Sequence, residues 1–363
     1  MPLIAHNNLP SYARLAREGQ LTIGPDRARQ QDIRELHIGL LNMMPDAALE
    51  ATERQFLRLI GASNCIAQSH VHLFSVDGIS RGKAARQHIA TYYERFEDIA
   101  TAGLDALIIT GANITGPDLT QEDFYQPMTE VADWARKNVT SVLCSCLASH
   151  AVWRHQHGLQ RQRLSEKLWG IFEHRTVARQ HPIVNGVNTR FNAPHSRYND
   201  VSRSQLEKAG LQILTDSDTA GVLLATSPDG LRFVYLQGHP EYDTSSLAKE
   251  YKREVQRYSA GERDDYPPHP QHYFDSDTVA LLEEFRRAVQ AGAEATFPAR
   301  EIEALLDNTW ADTGKALVNN WLGLVYQTTG SDRQKPFMDA VDPDDPLKPG
   351  NDKTENHGVS NET

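Results

Sequence analysis

The sequence predicts an α/β protein with a doubly wound, mostly parallel sheet. Short apolar runs alternate with helical patterns along the first half of the chain, which is the order that a parallel sheet with crossover helices requires. Most of these runs are apolar without interruption, as expected for strands that are buried on both faces. With 363 residues, 39% of them hydrophobic, the chain is long enough to bury a large core.

The first predicted strand covers residues 36–44, where an apolar run ends at Pro45. The helix that follows places Phe56, Leu57 and Ile60 on one face, and Gly61 can end it. The later elements continue the alternation. They are strand "HVHLFSV", helix "ATYYERFEDIA", strand "LDALIITG", helix "QPMTEVADWARKN", strand "TSVLCS" and helix "LASHAVWRHQHG".

The second half is richer in short strands, which we expect to extend or cap the same sheet. These are "KLWGIFEH", "FNAPHSRY", "LQILTDS", "AGVLLATS" and "LRFVYLQ". We therefore predict an N-terminal arm (residues 1–34), a single α/β domain (35–330) and a C-terminal tail (331–363). The tail is polar and interrupted by prolines, so it is expected to be disordered because it buries little apolar area.

Composition and charge favour small molecules as partners. A net charge of −11 argues against binding to nucleic acid or an anionic membrane, which requires a concentrated excess of Lys and Arg. No apolar run approaches the length of about 18 residues that a spanning helix needs. An odd count of three cysteines favours reduced thiols. We therefore expect a cytoplasmic protein.

Cys146 is the first candidate for chemistry, since it follows a predicted strand and precedes a predicted helix. A thiol at such a turn is exposed, and the free N–H groups of the helix favour its thiolate. The alternative is a buried core thiol, because cysteine is among the most often buried residues. That alternative suits Cys144, which lies within the strand.

His239 and Glu241 are the second candidate, because "GHPEYD" follows the apolar strand "FVYL". Ligand sites of doubly wound folds lie beyond the carboxyl ends of the strands. Here His239 can act as a general base for Cys146, and Glu241 can orient the imidazole. The alternative is an ordinary surface turn.

These residues, in this order, resemble the homoserine O-succinyltransferase family of methionine biosynthesis. The resemblance covers roughly residues 36–327 and rests on seven blocks. They are "LLNMMP" with "ERQFLRLIG", "GLDALIITGA", "NVTSVLCSCLA", "EKLWGIFEH", "NAPHSRY", "GHPEYD" and "NNWLGLVYQTT".

The resemblance implies a three-layer α/β/α fold, flavodoxin-like and similar to the class I glutamine amidotransferases. It also implies a ping-pong transfer of the succinyl group from succinyl-CoA to the γ-hydroxyl of L-homoserine. Cys146 is then the nucleophile, His239 the general base and Glu241 its orienting partner. Acyl-CoA is a co-substrate, no further cofactor is expected, and a homodimer is implied.

Three more residues match positions that the family uses to bind the amino-acid substrate: Lys167, Ser196 and Arg253. A zwitterionic acceptor needs a cation for its carboxylate, and a guanidinium can supply a bidentate contact. Without the resemblance, Lys167 and Arg253 would be interpreted as solvated surface charges, and Ser196 as a turn residue.

"TGAN" offers backbone N–H groups of Gly111 and Ala112 to an oxyanion beside the nucleophile, although a plain turn is the alternative. The resemblance places Thr115 at the position associated with the choice of acyl donor, where the family has Gly or Glu. After "LLNMMP" the family commonly has two lysines, and this chain has Asp46 and Ala47.

Two other activities remain open. One is an O-acetyltransferase that acts on homoserine or serine with acetyl-CoA. The other is a cysteine hydrolase like the glutamine amidotransferases, although the Gly-x-Cys-x-Gly pattern of those enzymes is replaced here by Cys144 and Ala148. The histidines show neither HExxH nor paired CxxC spacing, so no metal site is expected.

Overall fold

The computed structural model describes residues 2–63, 66–114, 116–292 and 295–348. Within these ranges the chain forms eleven strands and twelve α-helices. The strands are β1 (Leu3–Ile4), β2 (Thr22–Ile23), β3 (Glu35–Leu41), β4 (Gln68–Phe74), β5 (Ala106–Ile109), β6 (Ser141–Ser145), β7 (Gln162–Thr176), β8 (Arg190–Asp200), β9 (Gln212–Asp216), β10 (Leu224–Thr226) and β11 (Phe233–Leu236).

The helices alternate with the strands in the first half and cluster at the C-terminus. They are α1 (Pro10–Arg17), α2 (Pro25–Arg29), α3 (Asp46–Ser63), α4 (Lys83–Tyr92), α5 (Phe96–Ala102), α6 (Tyr125–Asn138), α7 (Leu147–His157), α8 (Arg203–Lys208), α9 (Ser246–Ser259), α10 (Ser276–Gln290), α11 (Ala299–Leu305) and α12 (Ala311–Thr328). No helix in the described ranges is long and apolar enough to cross a membrane.

One sheet contains all of these strands, in the order β2-β1-β4-β3-β5-β6-β11-β10-β9-β7-β8. Pairing is parallel from β2 to β11 and antiparallel from β11 to β8. From β3 the chain first adds β4 on one side and later β5 on the other, so the winding reverses at β3. The predicted doubly wound, mostly parallel sheet is confirmed, and the strands of the second half extend it.

Helices cover both faces of the sheet. Leu40 of β3 belongs to the apolar cluster that contains Phe56 of α3 and Trp321 of α12. The next residue, Leu41, belongs to a second cluster with Val131 of α6 and Trp153 of α7. Because successive strand residues point to opposite faces, the two clusters lie on opposite sides of the sheet. The α/β/α layering is therefore confirmed.

Two helical predictions need correction. Gly61 does not end α3, which continues to Ser63. The helix predicted through "ATYYERFEDIA" is two helices, α4 and α5. Tyr93 between them is extended (φ −94°, ψ 150°), and the N–H of Glu94 donates to Leu73 O at the end of β4 (2.7 Å). The N–H of Glu94 thus bonds to the sheet and not to a carbonyl of α4, which ends the helix.

The chain ends are described in part. In the predicted N-terminal arm, β1 pairs with both β2 and β4 and so widens the sheet. In the predicted tail, residues 331–348 turn back over the domain, and the ring of Phe337 is buried beside α12 in the apolar cluster. Residues 349–363, like residue 1, lie outside the described ranges.

Two glycines of α12 provide a test of how closely this helix approaches the rest of the domain. A Cβ at Gly314 would lie 2.8 Å from Pro240 O, whereas a Cβ at Gly323 would meet nothing within 4 Å. Replacing an interior helical glycine by alanine favours the helix by about 1 kcal/mol. We expect Gly323→Ala to stabilise the protein by up to that amount and Gly314→Ala to destabilise it, as measured by urea unfolding. Equal stabilisation by both substitutions would contradict the close approach of α12 to Pro240.

Candidate active site

Two neighbouring parallel strands bring the candidate nucleophile and base together. Leu236 at the end of β11 pairs with Ser145 at the end of β6. Cys146 follows β6, and its N–H donates to Leu236 O (2.6 Å). His239 lies three residues beyond Leu236. Because both strands run in the same direction, their carboxyl ends deliver the two side chains to the same edge of the sheet.

Cys146 occupies a strained turn between strand and helix. Its backbone has φ 52° and ψ −112°, a region that favours glycine, and α7 begins at the next residue. Such a conformation costs about 1–3 kcal/mol and persists only where the surroundings fix it. Ser149 does so here, because its hydroxyl donates to Cys144 O (2.8 Å) and to Leu236 O (3.2 Å). The turn therefore projects the thiol from the sheet as a nucleophile elbow does.

Close backbone contacts position His239. Its N–H donates to Pro194 O of β8 (2.8 Å). The preceding residue must be small, because a Cβ at Gly238 would lie 2.8 Å from Pro194 O and 2.9 Å from His195 Cε1. Gly238 thus allows the chain after β11 to approach β8 closely. The backbone hydrogen bond to Pro194 O then fixes the position of His239.

The imidazole of His239 lies between Glu241 and Cys146. Its Nδ1–H donates to Glu241 Oε1 (2.8 Å), and the ring lies close enough to Cys146 to interact with its charge. Burial alone would lower the pKa of His239, but the negative charges of Cys146 and Glu241 outweigh it and raise that pKa well above its usual value. Tyr242 stacks on the ring, with centroids 4.3 Å apart. The three predicted catalytic residues thus lie together, with the imidazole of His239 between the thiol and the carboxylate.

Cys144 is in a different environment from Cys146. It is fully buried in the core of β6, and burial raises the pKa of its thiol far above the usual value. A neutral thiol with no access to solvent is a poor nucleophile.

Glu250 is a site residue that the sequence analysis missed. Its Oε2 accepts hydrogen bonds from Ser196 Oγ (2.7 Å) and Lys167 Nζ (3.3 Å), and its Oε1 accepts one from Tyr242 OH (2.8 Å). Burial would raise the pKa of Glu250, but the charge of Lys167 and the two hydroxyl donors lower it on balance. An ionised carboxylate therefore joins two of the predicted substrate-binding residues to the tyrosine that stacks on His239.

The third predicted substrate-binding residue, Arg253, lies apart from this group of contacts. It is exposed on α9 and, among the described residues, has no ion-pair or hydrogen-bond partner. Arg253 follows Glu250 by three residues, which places both on one side of α9. Its guanidinium is therefore available to an external carboxylate, whereas the ammonium of Lys167 is already paired with Glu250 and lies 4.2 Å from the centre of the Trp169 ring.

The residues proposed for oxyanion binding flank the nucleophile. A Cβ at Gly111 would lie 3.7 Å from Cys146 Cβ and 3.7 Å from Leu147 N. Leu147 is the first residue of α7, so its N–H belongs to the donors that a helix leaves free. Ala112 follows Gly111 and is partly exposed. Thr115, the predicted determinant of donor choice, lies outside the described residues.

A buried arginine side chain lies beside Asp46, one of the two residues that follow "LLNMMP". The Arg81 side chain is 7% exposed and donates to Met44 O at the carboxyl end of β3, close to Asp46. Asp46 accepts from Gly82 N (2.7 Å), which fixes the loop that carries the arginine. Met44 reaches the nucleophile, since its Sδ would lie 3.8 Å from a Cβ at Gly111. Arg81 thus supplies a cation at this edge of the sheet, although Asp46 and Ala47 do not.

A cavity of about 620 Å³ opens on the carboxylate side of this group. Glu241, Tyr242 and Arg58 are among its lining residues, and Cys146 and His239 are not among the described residues that line it. The cavity therefore contacts the triad at its carboxylate and at the tyrosine that stacks on the imidazole.

Comparison with known proteins gives a consistent result. The family model described as "HTS: Homoserine O-succinyltransferase" matches residues 2–331. The chain is 56% identical to the homoserine O-succinyltransferase of Methylococcus capsulatus and 57% identical to that of Allochromatium vinosum, over 96% of this chain and 99% of each relative. A glutamine amidotransferase from Methylobacillus flagellatus is a solved structure with a TM-score of 0.44 and 10% identity, covering 80% of this chain and 95% of that one.

Glu250 should give the protein a characteristic pH dependence. Its folded pKa is below the usual value of 4.5, so its ionised form stabilises the fold above that pH, and this stabilisation is lost as the pH falls through the folded pKa. We expect Glu250→Gln to lower the free energy of unfolding at pH 7, with a loss that shrinks progressively below about pH 4. Urea unfolding at several pH values measures this difference.

Glu254→Gln is the control for the loss of a charge on the same helix, since Glu254 pairs with Arg263 near the surface (2.8 Å). A loss in Glu250→Gln that stayed constant down to pH 3 would contradict the lowered pKa of Glu250.

Proposed function

This chain belongs to the homoserine O-succinyltransferase family and is an acyltransferase, and we propose that it transfers the succinyl group of succinyl-CoA to the γ-hydroxyl of L-homoserine through a thioester on Cys146. The reaction is a step of methionine biosynthesis. One observation carries the proposed mechanism: Cys146, at the strained turn, lies beside the imidazole of His239, whose Nδ1 is hydrogen-bonded to Glu241.

In the first half-reaction the Cys146 thiolate attacks the thioester carbonyl of succinyl-CoA. The new C–S bond forms as the carbonyl electrons move to oxygen, and the resulting oxyanion lies where Gly111 and the N–H of Leu147 flank the sulfur. Collapse of this intermediate breaks the bond to CoA. The imidazolium of His239 supplies the proton to the departing thiolate and is left neutral.

In the second half-reaction the neutral His239 acts as a base. It accepts the proton of the homoserine hydroxyl while the oxygen attacks the acyl carbonyl of the enzyme thioester. Collapse releases O-succinylhomoserine and restores the thiolate of Cys146 beside an imidazolium. Glu241 stabilises that cation and fixes the ring so that the nitrogen not bound to Glu241 faces the sulfur.

The amino-acid acceptor carries two charges that the site can match. Arg253 is exposed and unpaired among the described residues, so it can bind the carboxylate of homoserine. Glu250 is ionised and can accept a hydrogen bond from the ammonium group alongside those from Lys167 and Ser196. The chemistry requires acyl-CoA as co-substrate, and we propose that no other cofactor takes part. The homodimer implied by the family stays a prediction.

The succinyl donor is preferred over acetyl for two reasons. The curated relatives that match nearly the whole chain are named succinyltransferases. In addition, Thr115, at the position associated with the choice of acyl donor, carries no negative charge that would repel the free carboxylate of a succinyl group. A glutamine amidotransferase activity is disfavoured by Cys144 and Ala148, which replace the two glycines of the elbow that those enzymes usually have.

The donor and the acceptor are tested by initial rates of CoA release. Succinyl-CoA and acetyl-CoA are each combined with L-homoserine and with L-serine. We expect the highest kcat/KM for succinyl-CoA with homoserine, and a thioester on the Cys146 peptide when succinyl-CoA is supplied alone and the reaction is acid-quenched. A preference for acetyl-CoA would replace the proposed donor and leave the mechanism intact.

The two neighbouring cysteines are the matched control. Cys146→Ala should abolish both turnover and the trapped thioester, and Cys144→Ala should keep most of both, because Cys144 is buried. Equal losses in the two variants would show that the wrong thiol has been assigned.

The triad is tested by a double-mutant cycle. His239→Ala should remove nearly all turnover, since both half-reactions need a proton carrier. Glu241→Gln should keep the fold and lose about two to four orders of magnitude in kcat, as the third member of a triad does. The double variant should be about as slow as His239→Ala, because triad members act as a unit. Rates that multiplied strictly, or a near-normal Glu241→Gln enzyme, would remove Glu241 from the mechanism.

A further inference from the structure

A second group of titratable side chains lies toward the opposite end of the sheet from Cys146. His37 of β3 is the Cα partner of His70 of β4, and His72 lies two residues further along β4. Because side chains alternate along a strand, all three rings project from the same face. The arm before α1 covers them, and the ring of His6 stacks on that of His70 with centroids 3.9 Å apart.

The three rings of His37, His70 and His72, hereafter the histidine cluster, have the spacing of a metal site. One ring nitrogen from each lies within 4.8 Å of the other two. The closest pair, His37 Nδ1 and His72 Nε2, is 2.9 Å apart and forms a hydrogen bond, which a bound ion would replace. Tetrahedral zinc with Zn–N bonds of about 2.0–2.1 Å sets its ligand nitrogens about 3.3 Å apart. The three rings are nearly parallel, with interplanar angles of 11°, 14° and 22°, so they would have to turn out of this arrangement for their nitrogens to converge on one ion.

Carboxylates lie behind two of the three rings. His72 Nδ1–H donates to both oxygens of Glu94 (2.9 Å each), which leaves Nε2 with its lone pair facing the cluster. His37 Nε2 lies 3.6 Å from Glu35 Oε2, which leaves Nδ1 to face the same point. A metal-binding histidine almost always donates its other N–H to a carboxylate or carbonyl, and this contact fixes the ring and raises its basicity as a ligand.

We propose that the histidine cluster binds a divalent first-row transition metal ion of the zinc class, with three imidazole nitrogens and a water molecule as ligands. Such an ion would fasten β3 to β4 and, through the stacked ring of His6, to the N-terminal arm. It lies apart from the thiol chemistry and supplies no step of it. Spacing along the chain does not reveal the site, because the ligands are divided between two strands 33 residues apart at His37 and His70.

The test uses full-length protein that carries Cys146→Ala, so that the active-site thiol and imidazole do not compete as a metal site. After treatment with a chelator, the protein is titrated with Co²⁺ and then with Zn²⁺. We expect one Co²⁺ per chain with the visible bands of a four-coordinate nitrogen site, displacement of Co²⁺ by one Zn²⁺, and a higher Tm in the presence of either ion.

Two variants in the same background identify the ligands. His70→Phe keeps an aromatic ring in the stack but offers no nitrogen, and it should abolish the Co²⁺ bands. Glu94→Gln leaves all three nitrogens and should weaken binding about 10- to 100-fold. His155→Phe, at an exposed histidine that pairs with Asp133, is the matched control and should bind as the parent does.

Circular dichroism checks that each variant is folded, and Glu94→Gln decides the matter if His70→Phe is not. The proposal is wrong if the parent takes up no Co²⁺. It is equally wrong if the folded cluster variants bind as tightly as His155→Phe.

Discussion

The structure depends on the parallel pairing of β6 with β11. This pairing joins the strand that ends in the nucleophile to the strand that ends in the base, and the hydrogen bond from Cys146 N–H to Leu236 O holds the two ends together. Nearly ninety residues of chain separate β6 from β11, yet the pairing of the two strands brings Cys146 and His239 together at one edge of the sheet. Everything that follows β11, including Glu241 and the helix that carries Glu250, is placed relative to this pair.

Electrostatics at the site rests on two carboxylates with different partners, of which Glu241 is buried and Glu250 is partly buried. The charges of Cys146 and Glu241 together raise the pKa of the His239 imidazole above its usual value against the effect of burial. Glu250 faces Lys167 and two hydroxyl groups, which keep its own charge in place. Tyr242 connects the two, because it stacks on the imidazole and donates to Glu250. One aromatic ring therefore contacts both the imidazole and the carboxylate that binds Lys167 and Ser196.

Much of this arrangement could be predicted because it follows from local patterns. Uninterrupted apolar runs predict the buried strands. Ligand sites of such sheets lie just beyond the strands' carboxyl ends, so Cys146 and His239, which follow two of these runs, could be predicted as site residues. Glu250 could not, since a carboxylate in the charged run "AKEYKREV" has the pattern of a solvated helix face. The end of α4 before Tyr93 was also not predicted. No helix-breaking residue marks it in the sequence, because a hydrogen bond to the sheet ends the helix there.

The strained turn at Cys146 lies among buried residues of the core. A backbone at φ 52° costs about 1–3 kcal/mol, a large fraction of a typical net stability of 5–15 kcal/mol. That cost is tolerated because residues on both sides of the turn are buried, with Ser145 in the centre of the sheet and Trp153 in the core beneath α7. A side chain such as Trp153 contributes several kcal/mol by burial alone, which exceeds the strain. The core therefore does more than stabilise the fold, since it holds the strained turn that carries the partly exposed Cys146.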